Sequence, residues 1–324
     1  MATLYPLRFE PLFKRYLWGG RRLETVLGKQ LPSGNDYAES WEVVDHDSAQ
    51  SRVAAGPLQG TALRQIVSQW GAELFGRHHP QPRFPLLFKF LDSSKVLSVQ
   101  VHPEDAAAAL LDPPDLGKTE AWLVLHAEPE AIVYAGLKRG IDRSALESEI
   151  VQGNVENCLH TVRPQVGDCL FIPAGVVHAL GAGFVIAEIQ QASNTTFRLH
   201  DWNRVGPDGQ PRELHIEQSL QSIDFGRGPI QPQKPQPIAG ANVERLVECD
   251  KFILDRRKFE GVATIGGDDR FHIVSVLSGA IDVRGDASQQ PLRRGQTTLL
   301  PAGVGDVTLT AVGPAEILDM YLPE

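Results

Sequence analysis

The sequence predicts a mainly β protein of two jelly-roll barrels, with a few short helices packed on the N-terminal unit. Short apolar runs punctuated by Gly, Pro and Asp dominate the chain, the pattern of strands separated by tight turns. A stretch at 167–180, GDCLFIPAGVVHAL, recurs at 295–309 as GQTTLLPAGVGDVTL, which points to a duplicated unit. Between the copies lies a proline-rich segment, 226–240, whose prolines supply no ladder donors. It is expected to run extended and to separate a unit over 1–225 from one over 241–324.

The elements follow in order. Leu63, Ile66, Val67, Trp70 and Leu74 recur at helical spacing, predicting a helix over 61–74. Residues 96–102 alternate with period two, so Ser98, Gln100 and His102 share one strand face and Val99 and Val101 the other. Pro103, then Glu104, Asp105 and an alanine run, reads as a helix start with acids at its positive end. Strands are expected at 121–125, 131–134, 169–172 and 184–189, with helices at 142–151 and 213–223. Beyond the proline-rich segment nearly everything reads as strand, 272–277 and 297–300 most clearly, as in a sandwich or barrel.

A chain of 324 residues suffices for about two domains and a core without staples. Its net charge of -9 argues against nucleic acid as a partner, yet leaves room for a local cationic pocket. Cys158, Cys169 and Cys249 are odd in number and form no CxxC pair, so reduced thiols are expected rather than a disulfide framework. The N-terminal segment lacks the apolar core of a signal peptide, and no uncharged stretch is long enough to span a membrane. The expectation is a soluble cytoplasmic protein with no membrane partner; nothing in the pattern specifies an oligomer.

Gly167, Pro173, Gly175 and His178 carry the strongest local signal. A strand delivers the chain to a tight turn, and a histidine follows into the barrel mouth. This spacing resembles the second conserved motif of the cupin superfamily, whose barrels hold a metal. A lone histidine there is more often structural; the full spacing favours a ligand. Gln100 and His102, at i and i+2, face one cavity, with Gln where cupins usually carry His. Lys118 and Glu120 likewise share a face of the next strand. Either pair alone has an ordinary explanation, a polar strand face or a solvated ion pair. With His178 they make a mixed shell of two nitrogens and two oxygens, which suits catalytic zinc with an open position. Further on, Arg198 and Arg204 flank Asp201-Trp202, one suited to bind phosphate and the other to stabilise enolate charge.

Together the segments WGG at 18–20, ESWE at 39–42, FKFLDSSKVLSVQVHP, GKTEAW, GDCLFIPAGVVHA and EIQQASNTTFRLHDWNR resemble the type I phosphomannose isomerases in their short bacterial form. The resemblance implies reversible conversion of mannose 6-phosphate to fructose 6-phosphate at one zinc ion per chain. It places the zinc ligands on Gln100, His102, Glu120 and His178, and the catalytic arginine on Arg198. Proton-transfer positions fall on Lys118 and Glu188, and phosphate contacts on Lys89, Ser98 and Arg204. Aldose–ketose isomerisation needs a base near C1 and C2 and a centre that stabilises a cis-enediolate; Lys118 and Glu188 both qualify as base.

The C-terminal unit resembles the family only loosely. Asp306 stands opposite His178 in the repeat, and His272 lies where a cupin's first ligand would be. A degenerate, metal-free, structural unit is expected. Three rival readings are weighed. A cupin isomerase or epimerase for another sugar is discriminated by Lys89, Ser98 and Arg204. A non-catalytic sugar-phosphate-binding cupin would be expected to have lost Arg198, Lys118 or a ligand. An iron redox cupin is disfavoured by the Gln/Glu shell.

Overall fold

Two antiparallel sandwiches stand back to back in the computed structural model, which describes residues 4–206, 209–238 and 242–324. In the first, a six-stranded sheet runs in the order Cys169–Ile172, Glu120–Ala127, Phe184–Gln191, Leu86–Ser93, Tyr37–Val43 and Leu12–Gly20. Opposite it lies a five-stranded sheet ordered Leu159–Val162, Val133–Leu137, His178–Leu180, Val99–Val101 and Phe197–His200. The second sandwich pairs a seven-stranded sheet with a four-stranded one. The fold is the mainly β, cupin-type jelly roll expected from the sequence, with its sheets open at the edges.

Strand alternation decides what lies where. Along Glu120–Ala127, Trp122 and Val124 point into the first sandwich, while Ala121 and Leu123 point out. Along Phe184–Gln191, Phe184 and Ile186 point in, and Val185, Ala187 and Ile189 point out. The outward set packs on Leu254, Ile273, Leu299, Leu318 and Met320 of the seven-stranded sheet, and on the helix Leu63–Phe75. Burying each such side chain contributes roughly 1.5–3 kcal/mol, so this shared core is what joins the two units. It also explains why Leu86–Ser93 is buried along its whole length. Its inward positions are therefore free to carry a charge, Lys89, without exposing the strand.

The two units also exchange chain. Leu7–Arg8 pairs with Leu299 and Thr298, so a strand from the N-terminal end completes the seven-stranded sheet. The proline-rich segment runs along the first sandwich, where Ile230 N donates to Ala135 O (2.9 Å) and Gln233 N to Cys169 O (2.7 Å). Gln236–Pro237 then pairs with Arg245 and Glu244.

Helices form at Leu63–Phe75, Arg143–Gln152 and Ile216–Ser222, close to their expected places. Asp142 caps the second by accepting from Ala145 N at 2.8 Å. The run after Pro103 makes a single turn, Asp105–Ala108, because Pro113 and Pro114 lie shortly beyond it. All three cysteines are free thiols. No helix among the described residues is long and apolar enough to cross a membrane.

Candidate metal centre and substrate cavity

Gln100 and His178 face each other across the five-stranded sheet, and Glu120 comes from the sheet opposite. The turn that follows Cys169–Ile172 requires Gly175, whose φ of 84° is open to glycine at little cost. Its N–H donates to His102 O at 2.9 Å, which ties the strand of one histidine to the turn that presents the other. His178 Nδ1 donates to Val176 O and His102 Nδ1 to Thr195 O, both at 2.9 Å. These carbonyls fix the tautomer and leave His178 Nε2 3.3 Å from Glu120, and His102 Nε2 3.6 Å from Glu120 and accepting from Lys118 Nζ at 3.0 Å.

Ligand atoms of His102, Glu120 and His178 all lie within 4.8 Å of one another. Burial, reinforced by the Lys118 ammonium, pushes His102 well below the ordinary imidazole range. Burial likewise brings His178 down to about 4. Both rings are therefore neutral, the form a metal requires. The Glu120 oxygens accept no well-directed hydrogen bond, although Lys118 Nζ stands 2.8 Å from one of them. Lys118 already supplies one cation to this buried carboxylate, and its oxygens keep acceptor capacity for another. Two imidazole nitrogens and a carboxylate fit a zinc-type ion. Gln100 Nε2 is 3.3 Å from His178 Nε2, so the amide reaches the same centre.

The group opens on a cavity of about 310 Å³. Ser98, Gln100, Lys118, Glu120, Glu188, Lys89 and Arg198 line it, while His102 and His178 are buried beside Glu120. Lys89 Nζ lies 3.3 Å from Glu39 and 3.4 Å from Glu188, and Lys118 Nζ 3.8 Å from Glu188. Glu39, Lys89, Glu188, Lys118 and Glu120 thus form a buried row of alternating charge. Burial alone would lower the Lys89 pKa, but Glu188, Glu39 and Glu120 outweigh it and hold the ammonium above the usual lysine range. Burial raises the Glu188 carboxyl, with Glu120 adding to the rise and the two lysines opposing it.

Arg204, expected on phosphate, does not line this cavity. The backbone reverses at Trp202 and Asn203, both with positive φ (57° and 53°), and Arg204 is drawn onto Val96 O and the Asp201 carboxylate. Arg212 lines the cavity instead, its Nε donating to Asp201 Oδ2 at 2.7 Å. Arg198 donates to Glu213 O at 2.7 Å, while its Nε is buried without a partner. Glu39, Arg212, Asn194, Thr196 and the stacked pair Tyr16 and Trp18 also line the cavity. Sequence reasoning missed their roles. The one usable signal was an acid, Glu39, inside the buried strand Tyr37–Val43.

Residues 7–118 match the catalytic domain of phosphomannose isomerase type I, and residues 242–318 the cupin domain of mannose-6-phosphate isomerase. GmuF, a probable mannose-6-phosphate isomerase of Bacillus subtilis, is 34% identical over 94% of this chain and 96% of its own. The mannose-6-phosphate isomerase ManA of the same organism is 33% identical over 99% of this chain and 100% of its own. The chain belongs to the type I phosphomannose isomerases. As a type I phosphomannose isomerase it is an enzyme, of the isomerase class. The crystal structure of a mannose 6-phosphate isomerase from Bacillus subtilis, 29% identical, matches it with a TM-score of 0.88 over 98% of this chain and 100% of that one.

Proposed function

We propose that this phosphomannose isomerase interconverts mannose 6-phosphate and fructose 6-phosphate through a cis-enediolate, with zinc held by Gln100, His102, Glu120 and His178. The observation that carries the reading is the buried row of alternating charges beside the neutral imidazole pair, all at one cavity. Zinc bound there supplies Lewis acidity toward the carbonyl and hydroxyl oxygens of the substrate.

The residues of the chain divide the rest of the work. Glu188, its pKa raised by burial, takes the proton from one carbon and returns it to the next. Lys118, adjacent to it, moves a proton between the two substrate oxygens. The unpartnered Arg198 Nε meets the negative charge that develops on the enediolate. Arg212 and Ser98, which line the cavity, take the phosphate, whereas Arg204 is turned away onto Val96 O and Asp201. Gln100 contributes its amide oxygen after a half-turn that exchanges it with the nitrogen now beside His178.

A coupled assay of mannose 6-phosphate conversion, before and after chelation and with zinc added back, tests this. Activity is expected to fall on chelation and to return with zinc. Turnover indifferent to chelator, in protein with no bound metal by elemental analysis, would rule the proposal out.

A further inference from the structure

We infer that Asp115 is a positioning residue for the metal centre, holding the turn whose carbonyl orients His102. The inference rests on reading His102 as a metal ligand. Asp115 lies just ahead of Lys118, its side chain 11% exposed, and touches none of the proposed ligands. Its Oδ2 accepts from Thr195 Oγ1 (2.8 Å), Ser193 Oγ (2.9 Å) and Asn194 N (3.2 Å). Its Oδ1 accepts from Leu116 N at 2.8 Å and faces Arg83 at 3.6 Å, and His46 Nε2 stands 3.7 Å from Oδ2.

Three consecutive residues, Ser193, Asn194 and Thr195, therefore hang on one carboxylate. The side chain of Gln190 steadies the same turn, donating to Gln191 O (2.8 Å) and Ser193 O (2.7 Å). From that turn Thr195 C=O receives the Nδ1 proton of His102 at 2.9 Å. A carbonyl held in place keeps the proton on Nδ1 and aims the Nε2 lone pair at the centre. Outer partners of this kind commonly account for about 10–100-fold in metal affinity. A side chain tied only to surface structure would not collect donors from the turn that serves His102. Without the carboxylate, two hydroxyls and two backbone amides lose their acceptor, and the carbonyl is free to swing away from the imidazole.

The test uses the full chain and zinc itself, with dissociation constants measured by competition against a chromophoric chelator. D115N and D115A are expected to bind zinc about 10–100-fold more weakly than the parent, and D115E to fall between. Saturating zinc is expected to restore kcat, because Asp115 acts through the turn and itself meets no substrate. If D115A fails to fold, D115N, equal in shape and keeping one acceptor oxygen, carries the test. Zinc affinity in D115N within twofold of the parent, even with a lower Tm of the zinc-free form, overturns the positioning role alone. A parent chain that binds no zinc overturns the metal reading and this inference with it.

Discussion

Each sandwich carries buried histidine at one end of its interior, and the two ends treat it in opposite ways. In the first, His102 and His178 give their Nδ1 protons to backbone carbonyls, and burial keeps the rings neutral. In the second, His272 spends both nitrogens on carboxylates, Asp319 at 2.7 Å and Asp268 at 3.1 Å. Burial alone would lower its pKa; Asp319 and Asp268 outweigh burial and raise it to about 9. An imidazolium has no lone pair for a metal. The remaining interior there is filled by Val274, Val276, Ile281, Leu300, Leu309 and Ile317, and Asp306, the counterpart of His178, is exposed. With carboxylates at both ring nitrogens, His272 is an ion-pair partner, whereas each imidazole of the first unit gives one nitrogen to a neutral carbonyl. That contrast supports reading the second unit as scaffold.

The contrast can be broken most sharply at His178. His178→Ala is expected to remove bound zinc and to lower kcat by roughly a thousandfold or more, the scale of several kcal/mol of charge stabilisation. Elemental analysis and steady-state kinetics on one preparation check both halves. Next comes His272→Leu, which, among the described residues, leaves the buried Asp319 paired with Arg257 alone, 3.1 Å away. Urea unfolding is expected to show a loss of about 3–5 kcal/mol, with zinc affinity unchanged; lost zinc binding instead would tie the second unit to the metal.

A subtler separation lies in pH. The raised folded pKa of His272 means its contribution is fully present below about 6.5, the unfolded value, and is lost as pH rises through about 9. His178 has the opposite sign: the unfolded chain takes up the proton first, so stability falls as pH drops from about 6.5 toward about 4. Unfolding of the zinc-free protein across both windows, repeated with His272→Leu, is expected to lose only the alkaline decline. Smallest of all, Asp306→His restores the missing residue of the repeat at an exposed position. It is expected to shift stability by no more than about 0.5 kcal/mol and to leave one zinc per chain by elemental analysis.

The proposed ligands were legible because their signals are local. Gln100 with His102, and Lys118 with Glu120, follow from period two along single strands, and His178 from one turn motif. Arg212 and Glu39 were not, because each reaches the cavity through tertiary placement. Arg212 arrives only after the reversal at Trp202–Asn203, which also carries Arg204 away. Glu39 meets Lys89 from a neighbouring strand whose register the sequence does not display. The short helix Arg22–Leu27 was missed for a similar reason: with only Leu23 and Leu27 buried, it is too brief for a period to emerge. The overall architecture was easier to read, since repeated strands and turns leave many concordant signals.

The pairing of Leu7 with Leu299 also dictates an order of events during synthesis. At about 5–20 residues per second, a ribosome needs roughly 15–60 s to make the intervening chain. The strand Leu7–Arg8 therefore waits for a partner made only after all the chain between them. Closing so long a loop is slow and entropically costly, which makes the joining of these two strands a late step. Until then the Leu7 segment and the edge formed by Thr297–Leu300 are both unpaired, and a neighbouring nascent chain on the same message offers each a substitute. The seam that seals the finished molecule is also where it is most open to the wrong companion while it is being made.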